Sequence, residues 1–184
     1  MSKHIAYIGL GSNLKPRGLR VLDALQRINA LDGTRITGLS NLYETEPVAA
    51  DTSNYFLNGV ARVQTTLSAS ELLHALQKIE QELGRNRTYI DRTIDLDILL
   101  FEEMQTHDKD MTIPHSRMHL RLFVLKPLFE LAPDLNVPGF KKTVRSLLHD
   151  LQPLVADTQG MALYHGDSMK DIAAFRKAIE AAYT

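Results

Sequence analysis

Phe56-Leu57-Asn58-Gly59-Val60-Ala61-Arg62-Val63-Gln64-Thr65 alternates without a break. Leu57, Gly59, Ala61 and Val63 fall on one side of an extended chain, and Phe56, Asn58, Val60, Arg62 and Gln64 on the other. The small apolar side is suited to receive helices. On its C-terminal side, Ser68 and Glu71 form a capping-box pattern ahead of Leu72, Leu76, Ile79 and Leu83, and Gly84 stands where a helix should stop. Beyond a basic loop, Ile94, Leu96, Ile98 and Leu100 alternate with Thr93, Asp95, Asp97 and Leu99, which predicts a strand with one greasy face. On its N-terminal side lie a polar loop at Asp51-Thr52-Ser53-Asn54 and an irregular strand from Thr34 to Val48 with Ile36, Leu39, Leu42 and Tyr43. Before these, Leu22, Leu25, Ile28 and Leu31 predict a helix from Pro16 to Leu31, closed by Gly33. The first strand is His4 to Leu10, closed by a turn at Gly11-Ser12-Asn13.

Strand, helix, strand, strand, helix, strand is the split βαβ arrangement, so the expected fold is α+β, a ferredoxin-like βαββαβ sandwich with its helices on one side. Pro114, Pro127, Pro133 and Pro138 bracket an expected helix from Leu120 to Ala132. Amphipathic stretches at Val144 to Val155 and Met169 to Tyr183 predict additional C-terminal helices packed on a flank or an edge.

At 184 residues and 44% hydrophobic content, one domain removes about 70% of its unfolded surface from water and needs no metal or disulfide staple. The absence of cysteine excludes zinc-thiolate sites, iron-sulfur ligation, thiol catalysis and disulfides. A net charge of -1 leaves no general basic field to collect nucleic acid or anionic membrane, so any polyanion must meet a local cluster. Met1 to Ala6 lacks the apolar run of a signal peptide, and no stretch reaches the length of about 20 residues needed to span a membrane. The expectation is a cytoplasmic protein without nucleic-acid or membrane partners, a monomer or homodimer.

Strand residues two apart point the same way at about 6.6 Å separation, so Asp95 and Asp97 present two carboxylates side by side on the face away from the helices. Such a pair calls for positive charge. A hard divalent ion such as Mg2+, shared with substrate phosphates, fits the oxygen-only donor set; the alternative is a solvated strand face or salt bridges to nearby arginines. Arg85, Arg87 and Arg92 crowd the preceding loop, and His115, Arg117, His119 and Arg121 follow. They point to a nucleoside triphosphate beside the acids, or else neutralise Glu80, Glu82 and Asp91. Gly9-Leu10-Gly11-Ser12-Asn13 is not a P-loop, so side chains and metal would hold the phosphates. Phe56 and Asn58 offer an aromatic plane and a two-sided amide, suited either to packing or to a flat heterocycle with mixed hydrogen-bonding edges.

Seven segments occur in the order of one known family. They are Tyr7-Ile8-Gly9-Leu10-Gly11-Ser12-Asn13-Leu14, Leu42-Tyr43-Glu44-Thr45-Glu46-Pro47-Val48, Phe56-Leu57-Asn58, Gly84-Arg85-Asn86-Arg87, Arg92 through Leu99, Ile113-Pro114-His115, and Arg121 through Leu128. The chain resembles the 6-hydroxymethyl-7,8-dihydropterin pyrophosphokinases of the folate pathway, over roughly residues 4 to 140. The resemblance implies a catalytic domain over residues 1–140, with 141–184 a C-terminal helical extension packed on the same domain. It implies ATP-dependent transfer of a diphosphate to the hydroxymethyl oxygen of 6-hydroxymethyl-7,8-dihydropterin, with release of AMP. Asp95 and Asp97 would hold two Mg2+ ions, and Arg85 and Arg92 would balance the moving charge. Gln77, Glu80, Arg87, Ile98, Thr112, His115 and Arg121 would contact ATP. Thr45, Val48, Phe56, Asn58 and Phe123 would hold the pterin, with the two phenylalanines stacking on it.

The chain departs from the family pattern between Arg87 and Arg92, where only Thr88-Tyr89-Ile90-Asp91 stands in place of a longer segment, implying a shortened lid. Ser116 and Ala49-Ala50 also depart from it, and residues 141–184 have no counterpart, leaving a flank brace, a dimer contact or an edge cover as their expected role. Competing readings are a paralogue with an altered substrate or low activity, and a non-catalytic ferredoxin-like ligand-binding or RNA-binding module. The balanced charge speaks against RNA, and a sensor would not need the paired aspartates.

Overall fold

The structure is a computed structural model that describes residues 2–47, 54–85, 91–166 and 168–182. In chain order the elements are β1 (His4–Ser12), α1 (Arg17–Asn29), β2 (Thr34–Leu39), β3 (Tyr43–Thr45), β4 (Phe56–Thr65), α2 (Ala69–Glu82) and β5 (Asp95–Phe101). There follow β6 (Thr106–His107), β7 (Thr112–Ile113), a short 3-10 turn at Met118–Leu120, α3 (Leu122–Leu131), β8 (Asn136–Val137) and β9 (Lys142–Thr143). The chain ends with α4 (Val144–Val155), β10 (Met161–Leu163) and α5 (Met169–Ala181). Ser68 and Glu71 form the expected reciprocal capping box at the start of α2.

The main sheet runs β10-β3-β4-β1-β5, with every pairing antiparallel. β4 is long enough to pair with β3 through its first three residues and with β2 through its last five. The irregular strand expected over Thr34 to Val48 is therefore two strands sharing one partner. β1 is longer than expected, because Gly11 and Ser12 continue the ladder opposite Asn58 and Leu57 rather than turning away.

Helices pack on both faces of the sheet, which corrects the expectation that they share one side. On the first face, Ile8, Leu57, Ala61 and Val63 bury against Leu25 and Ile28 of α1, Leu72 and Leu76 of α2, and Ile172 of α5. On the second face, Tyr7, Val60, Leu99 and Leu100 bury against Leu125 and Leu128 of α3 and Leu147 and Leu151 of α4. Alternation in β5 had assigned Leu100 to the same face as Ile98. A bulge at Leu99, which leaves Tyr7 opposite Leu100 and Ile8 opposite Ile98, turns Leu100 to the second face.

The C-terminal segment braces a flank through α4 and covers an edge through β10, which pairs with β3. Among the described residues, no helix is long and apolar enough to cross a membrane.

Candidate active site

α3 and α4 cover only part of the second face. Toward the ends of β1, β4 and β5 the sheet stays open, and a cavity of ≈ 180 Å³ forms there. Its floor is glycine. Gly9 is paired with Asp97 and Gly11 with Asp95, so each carboxylate stands beside a residue with no side chain to obstruct it. Gly11 is also paired with Asn58, and a Cβ at Gly11 would lie 3.3 Å from Asn58 Oδ1. Thr45, Phe56, Asn58, Arg92, Asp95, Asp97, Arg121 and Phe123, all named from the sequence, line this cavity together.

The lining combines a fixed amide with two aromatic rings. Asn58 Nδ2 donates to Thr45 Oγ1 at 2.8 Å, which fixes the amide and points its carbonyl oxygen toward Gly11. Phe56 enters from β4 and Phe123 from the first turn of α3, and the Arg121 guanidinium lies 5.5 Å from the Phe123 ring centre.

The charged end is held from the edge of the sheet. Arg85 and Arg92 each donate to a different oxygen of Asp95. The end of β1 grips the segment leading to Arg92: Arg92 N–H donates to Asn13 Oδ1 at 2.6 Å, Asn13 N–H to Arg92 O at 3.1 Å, and Ser12 Oγ to Thr93 O at 2.6 Å. Asp97 is pushed up to about 6, first by burial and then by the charge of Asp95, against the pull of Arg121, Arg85 and Arg92. Two crowded carboxylates with oxygen donors only fit a hard divalent cation. The described residues include no third acid or histidine within a metal-holding cluster, so further ligands would come from phosphates and water.

Five of the expected nucleotide contacts do not line this cavity. Glu80 is 2% exposed and accepts from Leu96 N–H at 2.7 Å and from Arg85, so it satisfies the open edge of β5 and holds Arg85 from behind. Ile98 is buried among the helices of the first face. Gln77 is half-buried on α2, and Thr112 lies on the β6–β7 hairpin within 3.3 Å of His107 Nδ1. His115 stands next to the site, its N–H donating to Leu99 O at 2.9 Å. Burial, then the charges of Arg121 and Arg117, hold its imidazole below the ordinary value. Val48, Arg87 and the Thr88 to Ile90 part of the shortened segment lie outside the described residues.

Glu46, Pro47, Val124 and the glycine floor also line the cavity but were not singled out from the sequence. For the floor a signal existed: a Gly-x-Gly strand to pair with an Asp-x-Asp strand.

Residues 7–133 match the family pattern described as 7,8-dihydro-6-hydroxymethylpterin-pyrophosphokinase (HPPK). The chain is 42% identical over 136 residues to the 2-amino-4-hydroxy-6-hydroxymethyldihydropteridine pyrophosphokinase of Haemophilus influenzae, covering 73% of this chain and 85% of that protein. It is 39% identical over 170 residues to the folic acid synthesis protein fol1 of Schizosaccharomyces pombe, covering 91% of this chain but 22% of that longer protein. In overall shape it is similar to an HPPK-DHPS solved in complex with substrates, with a TM-score of 0.69 at 15% identity, covering 86% of this chain and 45% of that one. A wild-type HPPK-DHPS of Plasmodium falciparum gives a TM-score of 0.67 at 16% identity, with 85% and 46% covered.

Proposed function

The chain belongs to the 7,8-dihydro-6-hydroxymethylpterin-pyrophosphokinase family, the diphosphate-transferring enzymes of folate synthesis, and from that premise we propose that its open sheet face joins ATP to a dihydropterin. In this reading the hydroxymethyl oxygen of 6-hydroxymethyl-7,8-dihydropterin bonds to the β-phosphorus of ATP. The bond from that phosphorus to the oxygen shared with the α-phosphate breaks, AMP leaves with that oxygen, and the hydroxyl proton passes to water. The observation that carries it is one cavity lined both by a carboxylate pair, Asp95 and Asp97, and by an amide with two aromatic rings, Asn58, Phe56 and Phe123.

The cavity is smaller than the roughly 300–1,000 Å³ of an ordinary ligand pocket. It suits a flat bicycle, while the nucleotide extends over the rim toward Arg85, His115 and Arg121. Phe56 and Phe123 stack on the pterin, and Asn58 reads its edge with Thr45 fixing the amide. Asp95 and Asp97 would hold Mg2+, two ions in our reading, which would supply charge neutralisation for the phosphates and for the incoming hydroxyl. Arg85 and Arg92 balance the charge of the migrating diphosphate, and alignment with electrostatic clamping supplies the acceleration. We read the β2-β4-β1-β5 ladder as the ferredoxin-like core, residues 1–140 as the catalytic unit, and the enzyme as a cytoplasmic monomer or homodimer that needs no nucleic acid or membrane.

Incubation with ATP, Mg2+ and the dihydropterin should release AMP in proportion to pterin diphosphate formed, with neither product when the pterin is omitted. Pterin-independent AMP release, or none with it, would overturn this reading.

A further inference from the structure

Residues 159–163 do not line the cavity, but they bond to two segments that do, the start of α3 and strand β3. Gln159 is placed by the end of α4, where its N–H donates to Val155 O at 2.9 Å. Its side chain then closes on the backbone that leads into α3: Oε1 accepts from Leu122 N–H at 2.8 Å, and Nε2 donates to Leu120 O at 2.9 Å. Leu122 is the first residue of α3, and the preceding Arg121 supplies no side-chain cap, so Gln159 satisfies a helix-terminal donor from 37 residues away. Two residues further on, Met161 pairs with Thr45 in the β10–β3 ladder, and Thr45 holds the Asn58 amide.

One short segment thus grips the first turn of α3, which carries Phe123, and the strand opposite it. We propose that Gln159 is a positioning residue that fixes the Phe123 ring at the right separation from Asn58, and so sets affinity for the flat heterocycle. The proposal rests on the pterin-stacking reading of Phe123. Gln159 does not touch the ligand; it acts by removing freedom from the helix end that does, a preorganisation whose loss appears as weakened binding. The two peptide groups that Gln159 holds flank Arg121, so the strap reaches the nucleotide side through that residue, whereas Asp95, Arg85 and Arg92 are held by β5 and its approach, away from the strap.

Two variants test this, each read by calorimetric titration with dihydropterin in the presence of a non-hydrolysable ATP analogue and Mg2+. Gln159→Asn keeps the polarity but is a methylene too short to reach both peptide groups, and should weaken pterin binding about tenfold, the scale of a lost helix cap. Its affinity for the nucleotide analogue should fall by no more than about threefold, through Arg121 alone, because Arg85, Arg92 and Asp95 are held by other segments. Gln159→Glu keeps the acceptor for Leu122 N–H, next to a helix N-terminus that favours negative charge, but loses the donor to Leu120 O, and should weaken pterin binding only about threefold, less than the Asn variant. Pterin affinity equal in the parent and the Asn variant, equal losses of pterin and nucleotide, or the same loss in both variants would each overturn the role of Gln159. Failure of the unmodified protein to bind the dihydropterin would instead overturn the functional reading beneath it.

Discussion

Asp95 has both carboxylate oxygens engaged by arginines, and the two arginines are held differently. Arg85 is anchored from behind by buried Glu80, whereas Arg92 hangs from a backbone segment gripped by Ser12 and Asn13 with its side chain 41% exposed. Arg92 is therefore the one free to follow a moving charge. Arg92→Ala should lower kcat about 100-fold while changing KM for ATP less than about threefold, measured by initial-rate AMP release. Equal losses in both would make it a binding residue. Glu80 gives a separate prediction. Burial outweighs the pull of Leu96 N–H and Arg85 and raises its carboxyl from 4.5 to about 7. An acid whose folded value lies above its unfolded one binds more protons when folded, so its contribution to stability is complete below pH 4.5 and fades as pH rises through about 7. The full shift corresponds to about 3 kcal/mol as an upper limit. Urea midpoints should show the parent losing stability relative to Glu80→Gln between those pH values; parallel curves would show that Glu80 is ionised throughout.

At the level of elements, the site depends on β1 running flat beneath the two acids, which its glycines allow. A methyl group at Gly11 would press on Asn58 Oδ1 at 3.3 Å without meeting backbone. Gly11→Ala should therefore fold with a melting temperature near the parent's while raising Kd for the dihydropterin at least about fivefold, as the amide rotates out of place. A parent-like Kd would remove Asn58 from the recognition wall. The same strands explain what the sequence could convey. The alternation in β4, the capping box of α2 and the Asp-x-Asp spacing are local properties of the chain, and each appears in the structure. The Leu99 bulge depends on how β5 registers against β1, so alternation misplaced Leu100. Glu80, one helical turn from Gln77, read as a ligand contact because its real partner, the edge amide of Leu96, exists only after α2 has docked. The Gln159 strap had no signal, since its hydrogen bonds join segments 37 and 39 residues apart through backbone groups that every residue carries.

Across the whole molecule, the sheet is buried on one face by α1, α2 and α5, and on the other the helices stop short of the acids. Paired carboxylates and a cluster of arginines thus sit at an opening in an otherwise double-sided core, where their charges are incompletely solvated. A ligand that completes this site should stabilise the entire fold by mass action. At one hundred times its Kd, a single bound ligand adds about 2.7 kcal/mol. For a chain of this length that raises the melting temperature by roughly 5–10 °C. The non-hydrolysable ATP analogue with Mg2+ should produce this shift. With EDTA in place of Mg2+ it should fall to a small fraction, because the triphosphate then faces Asp95 and Asp97 without a cation between them. Dihydropterin added after the Mg2+ complex should raise the transition further, since Phe56, Asn58 and Phe123 are then still to be covered. A shift by the analogue that is indifferent to EDTA would mean that the arginines alone hold the nucleotide, and the carboxylate pair would then have to be assigned to something other than a metal.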